Sequence, residues 1–146
     1  MSKKRSKARE FAVQAVYQWQ MSGNELADIL RQFAEEKKPK TYEADYFQEL
    51  LRGVVTNLTE LDEMLAPLVD REVEKIDPVE RAILRLGAYE LQHHMEIPYR
   101  VVINEAVEMA KLFGAEQGHK YVNGVIDKLA QKIRAIEVKA RQQSSR

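Results

Sequence analysis

From Phe11 to Ile136 the apolar residues of this chain recur three and four apart almost without a break, and no stretch alternates for long as a half-buried strand would. That periodicity confines the chain to an all-α fold. The segment 42–66 carries it furthest: Phe47, Leu50, Leu51, Val54, Leu58, Leu61 and Leu65 fall on one side of a single helix that Thr41 can cap and Pro67 ends. At 1.5 Å per residue such a helix is about 38 Å long, enough to run through a whole domain.

Turn and cap residues divide the rest. A first helix is expected from about Ser6 to Met21, burying Ala8, Phe11, Ala12, Ala15, Val16 and Trp19. Ser22, Gly23 and Asn24 stop it, with Asn24 as N-cap of a second helix that ends before Pro39. Asp77-Pro78-Val79-Glu80 combines a capping Asp, Pro at the first helical position and Glu at the third, and starts a helix to about His94. Another is expected from about Arg100 to Phe113, stopped by Gly114, and a last one from Gly118 to about Ile136. Beyond it, residues 137–146 have little to bury and are expected to fray. With 146 residues the chain can bury roughly two thirds of its unfolded surface, so residues 1–146 are read as one domain, with a basic arm over about 1–7.

The chain contains no cysteine, which excludes disulfides, thiolate nucleophiles and sulfur-ligated metal sites. No apolar run approaches the roughly 20 residues of a membrane span, so no membrane partner is expected. Gln14, Gln18 and Gln20 interrupt the apolar run that follows the basic start, against a secretory signal and in favour of a cytoplasmic protein.

Lys plus Arg equals Asp plus Glu at 23 each, yet the charges are segregated. Residues 1–9 hold five basic and no acidic side chains, residues 128–146 hold six basic and one acidic, and the 12 basic and 22 acidic residues between them leave the body at −10. Basic patches attract polyanions even on a neutral molecule, although on charge alone a solvated tail remains the alternative. On a helical wheel, Arg9, Val13 and Tyr17 fall away from the expected core of the first helix, which turns Tyr17 outward. An exposed aromatic beside basic groups can stack on an unpaired base while the cations hold phosphates. In the last helix, Val122, Val125, Ile126, Leu129 and Ile133 make the buried stripe and leave Gln117, Lys120, Gly124 and Lys128 opposite, with Tyr121 at the margin. Gly124 is costly inside a helix, by about 1 kcal/mol relative to Ala, which suggests a close approach by a ligand or by another helix.

Two Glu-x-x-His spacings, Glu90 with His93 and Glu116 with His119, resemble the motif that holds dinuclear metal centres in helical bundles. Glu116 and His119 straddle the helix start at Gly118, and His93 and His94 point apart, so no metal site, cofactor or catalytic residue is expected. No P-loop, nucleophile elbow or G-x-G-x-x-G occurs, and the reading is non-enzymatic.

Four separated stretches carry a resemblance: ARE-AVQA-Y-WQ at Ala8 to Gln20, VERAILRLGAYEL at Val79 to Leu91, IPYRVVINEAVEMAK at Ile97 to Lys111, and FGAEQGHKYVNGVIDK at Phe113 to Lys128. In order and over nearly the whole chain, they resemble the NusB family of bacterial antitermination factors. The resemblance implies about seven helices in two small packed bundles sharing the long third helix. It also implies binding to the box A element of nascent ribosomal RNA as a heterodimer with the ribosomal protein NusE, within the RNA polymerase antitermination complex. By the same resemblance, Lys3, Lys4, Arg5, Arg9, Gln14 and Tyr17 of the first helix, and Gln117, Lys120 and Tyr121 of the last, are expected to contact RNA. Asn123 and Asp127 match the motif but can be structural. Gln117 stands where relatives can carry an acid, and loss of that charge favours RNA. Glu80 resembles the NusE-facing side, where acidity suits a basic ribosomal protein. Members differ in forming monomers or homodimers, and the residues do not choose between them. The same module also occurs in ribosomal RNA methyltransferases, but no strand-rich cofactor domain follows before Arg146.

Overall fold

The computed structural model describes residues 2–114 and 117–144. Among these there are eight α-helices, three single 3₁₀ turns and no strand. The helices are α1 (Lys3–Ser22), α2 (Leu26–Glu36), α3 (Ala44–Thr56), α4 (Leu58–Leu65), α5 (Pro78–His93), α6 (Tyr99–Phe113), α7 (Gly118–Ile133) and α8 (Ala135–Ser144).

The centre of the fold is α5, where every residue from Arg81 to Leu91 is buried. A helix buried all round must have neighbours on every side. Here α1, α3, α4, α6 and α7 all pack against it. Both ends of α5 are tied off. Asp77 accepts hydrogen bonds from the backbone N–H groups of Val79 and Glu80, both at 3.1 Å. At the other end Arg134, 2% exposed, donates to the carbonyls of Leu91 (2.8 Å), Ile97 (2.9 Å) and His94 (2.9 Å). One buried guanidinium thus satisfies several of the carbonyls that a helix end leaves without partners, and its charge suits the negative end of the helix dipole.

The helix expected over 42–66 is two helices. At Asn57 the backbone leaves the helical region (φ −104°, ψ 21°), and its side-chain amide donates back to the carbonyl of Gly53 at 2.8 Å. A polar side chain bonding one turn back bends a helix. The bend lets α3 lie against α1 while α4 turns towards α7. A similar change of direction at Arg134 (φ −120°, ψ 32°) separates α7 from α8.

Both ends of the chain are more helical than composition suggests. α1 begins at Lys3, with Ser2 accepting a hydrogen bond from Arg5 N–H, so most of the expected arm is the first turns of a helix. α8 runs to Ser144 because Val138 is buried at 3% exposure and Glu137 reaches the backbone N–H of Tyr99 at 2.8 Å. Asn24 does not cap α2; Glu25 occupies that position, and Gly23 closes α1 in the left-handed region at φ 70°. Where α3 crosses α5, Gly53 admits the Tyr89 ring, which would come within 2.2 Å of any Cβ at that position.

Candidate RNA-binding surface

Lys3, Lys7, Gln14 and Tyr17 are spaced so that they share one face of α1, while Lys4 lies on another. From Lys3 to Tyr17 is 14 residues, or about 21 Å of helix rise. The structure therefore does not bring the basic turn and the aromatic together; it sets them at opposite ends of one strip. Lys3 and Lys4 are exposed. Lys7 pairs with Glu10 at 2.9 Å. Arg5 is half-buried and already engaged: its guanidinium donates to both carboxylate oxygens of Glu43, at 3.1 and 3.3 Å, and lies 4.3 Å from the centre of the Tyr46 ring.

The expected surface position of Arg9 is wrong. Arg9 is 1% exposed and Val13 2%, both inside the fold. The Arg9 Nε donates to Glu90 at 2.9 and 3.1 Å, and Nη1 to Glu105 at 2.9 Å. The wheel placed this face outward because it counted only the packing of α1 against apolar neighbours. α3, α5 and α6 close over it, and Glu90 and Glu105 supply the countercharge that makes a buried arginine tolerable. Burial alone would weaken the proton's hold on Arg9, but Glu90, together with Tyr46 and Glu105, more than offsets it, and the pKa is raised.

Tyr17 does face solvent, at 38% exposure. It stands at the edge of an open groove of about 530 Å³ lined also by Val13, Gln14, Met21, Val79 and Phe113. Met21 is 55% exposed, so the groove offers apolar surface to solvent beside the polar Gln14, Gln18 and Ser22. Val79 belongs to the first turn of α5, and its neighbour Glu80 abuts the start of α7: a Cβ on Gly118 would lie 2.9 Å from a Glu80 carboxylate oxygen. The first turn of α5 thus connects the Tyr17 groove to the N-terminal turns of α7, where Gln117 and Lys120 are exposed and Tyr121 half-buried. Glu80 is itself half-buried, and burial followed by the nearby Asp77 pushes its carboxyl upward against the pull of Arg71.

Sequence reasoning missed Arg71 and Phe113. The Arg71 guanidinium lies 5.5 Å from the centre of the Tyr121 ring, a cation on the face of an aromatic. No periodicity marks it, because residues 70–77 lie between helices and hold only the short 3₁₀ turn Val73–Lys75. The expected close approach at Gly124 is not made within the chain: a Cβ there meets nothing within 4 Å, so no helix presses on it.

The histidines are committed elsewhere. His93 bonds Glu60 at 2.9 Å, and His94 bonds Glu96 at 2.7 Å and also Glu49. Glu90 is taken up by Arg9 and by the Tyr46 hydroxyl. Among the described residues no group of three or more acidic or histidine side chains is placed to hold a metal ion, and Glu116 lies outside them. No helix of the described residues is long and apolar enough to cross a membrane.

Comparison with known proteins gives the family and the overall fold. The family model for the NusB family matches residues 6–131. The transcription antitermination protein NusB of Nitrosococcus oceani is 55% identical over 141 residues, which cover 97% of this chain and 95% of that one. The protein of the same name from Pseudomonas savastanoi pv. phaseolicola is 51% identical over 139 residues, covering 95% and 84%. Among solved structures, T. maritima NusB superposes with a TM-score of 0.79 at 29% identity, over 90% of this chain and 94% of that chain. NusB in a crystal structure of the antitermination factors NusB and NusE with dsRNA superposes at 0.78 and 25% identity, over 90% and 98%. A family match over most of the chain and relatives more than 50% identical along nearly its full length place this chain in the NusB family.

Proposed function

We propose that this chain is a transcription antitermination factor that binds the box A element of nascent ribosomal RNA together with NusE, as part of an RNA polymerase antitermination complex in the cytoplasm. The observation that carries the reading is Tyr17, an aromatic left 38% exposed at the rim of an apolar groove, on the same helical face as Lys3. Unpaired bases stack on such rings, and the lysines at the other end of the strip hold phosphates further along the strand. The path continues over the first turn of α5 to Lys120 and Tyr121, with Arg71 on the Tyr121 ring. Glu80 and its acidic neighbours present the charge that a basic ribosomal protein would meet. The activity is binding and assembly, with no catalytic step.

Binding of box A RNA and of a scrambled RNA of equal length, each with and without NusE across a salt series, tests the reading. A preference for box A that sharpens on adding NusE supports it. Equal, purely salt-driven binding to both RNAs would reduce the surface to a nonspecific basic patch.

A further inference from the structure

Asp70 and Arg71 lie in the irregular segment opposite the first turns of α7. The Arg71 guanidinium is forked on the neighbouring carboxylate, Nε to Oδ1 at 2.8 Å and Nη2 to Oδ2 at 3.0 Å. The same Oδ1 accepts from the Tyr121 hydroxyl at 3.3 Å, while the guanidinium carbon sits 5.5 Å from that ring's centre. One carboxylate therefore gathers the two groups of this corner that could otherwise donate to a phosphate. Both charged side chains are open to solvent, at 63% and 49% exposure.

Such a pair contributes little to holding a fold, because exposed ion pairs between flexible side chains are weak and screened by salt. Its geometry matters more than its strength. The planar fork that an arginine offers to a carboxylate is the one it offers to phosphate, so the two oxyanions compete for the same donors. Resting on the RNA-binding reading given above, we propose that Asp70 is a built-in competitor: its carboxylate occupies the Arg71–Tyr121 corner that an RNA phosphate takes, and must be displaced when RNA docks. The arrangement raises the threshold for polyanions. A ligand that touches only this corner gains nothing by replacing one oxyanion with another, whereas an RNA already seated along α1 and α7 displaces Asp70 at small cost.

The test uses the full chain, as wild type and as Asp70→Ala, Arg71→Gln and the double variant, with single-stranded box A RNA titrated across a salt series and thermal melts confirming that each variant folds. Asp70→Ala is expected to bind about two- to fivefold tighter, the range set by releasing an exposed ion pair, with a salt slope close to that of wild type because Arg71 meets the phosphate in both complexes. In the Arg71→Gln background the Asp70→Ala gain should vanish. A gain of equal size without Arg71 would overturn the proposal, since Asp70 would then act only as a repulsive charge. No gain in the presence of Arg71 would overturn it as well. If wild type fails to prefer box A over scrambled RNA, the box A reading falls, while an Arg71-dependent gain on both RNAs would still uphold the competitor. If no variant binds either RNA, both fall.

Discussion

Arg9 and Glu90 meet 2.9 Å apart inside the protein, with side chains only 1% and 2% exposed. Their pair joins α1 to α5, and it does not stand alone: Glu105 on α6 takes the other end of the guanidinium, Ser6 donates to Glu105 at 2.5 Å, and Tyr46 on α3 donates its hydroxyl to Glu90. Four helices converge on one cation. Removing one member of a buried pair leaves the other charged without its partner, which costs about 3–5 kcal/mol. Arg9→Met is therefore expected to lower the urea unfolding free energy by about that amount, and the Arg9→Met, Glu90→Leu double variant to recover part of it. Simple addition of the two single losses would show that the pair is not coupled. The same result decides the role of Arg9, since a defect in RNA binding by this variant should follow its loss of folded protein rather than a lost phosphate contact.

How far the sequence could anticipate this is visible at that residue. Cap and stop residues located α5, α6 and the start of α7, because those elements are bounded by Asp, Pro and Gly. Apolar periodicity misjudged Arg9, because a wheel cannot show that carboxylates 81 and 96 residues further on will fold over a basic position. It read 42–66 as one helix because Asn57 is a mild breaker whose effect depends on what α4 must reach. At the candidate surface, Tyr17 was legible as an unburied aromatic within a helical pattern. Arg71 was not, since it matters only through the ring of Tyr121, 50 positions away in the chain.

Gly53 is required by packing rather than by backbone conformation. A Cβ at this position would lie 2.2 Å from the Tyr89 ring, which is stacked on His93 and whose hydroxyl donates to Glu49 at 3.1 Å. The ring has little room to withdraw, and Gly53→Ala should force α3 away from α5. Overpacking of this kind costs about 1–3 kcal/mol. A thermal melt that leaves the variant as stable as wild type would mean that Tyr89 can swing out, and the Gly53→Ala, Tyr89→Leu double variant should relieve the clash.

His94 gives the stability a dependence on pH. Burial works against its charged form, but the hydrogen bonds it donates to Glu96 and Glu49 and their charges outweigh it, and its pKa is raised above the ordinary 6.5. A group with a raised folded pKa contributes fully below its unfolded value and loses that contribution as pH climbs through the folded one. Unfolding free energy should therefore fall as pH is raised above about 6.5, through neutral pH, and His94→Gln should flatten this part of the profile. Glu96 adds the opposite limb, since the bond from His94 holds its carboxyl below the usual carboxylate range and that contribution disappears in acid. A wild-type profile unchanged between mildly acidic and mildly basic buffer would show that the Glu49–His94–Glu96 contact is not made in solution.

The strip along α1 separates two kinds of contact that binding measurements can distinguish. Tyr17 is partly exposed and serves no buried contact that the fold needs, so Tyr17→Ala should leave the melt nearly unchanged and weaken box A binding by about 1–3 kcal/mol at every salt concentration, the range for loss of one stacked base. Lys3 on the strip and Lys4 on the adjoining face act through charge alone. Replacing each with Ala should lower the salt slope by about one while changing affinity little at high salt, where released counterions no longer drive binding. Arg5→Ala should do less than either lysine, because in the free protein its fork is already filled by Glu43 and its plane lies on Tyr46. If instead Arg5→Ala lowers the slope as much as Lys3→Ala, Arg5 leaves Glu43 for phosphate when RNA binds, and the Glu43 contact is a second competitor of the Asp70 type rather than a structural tie.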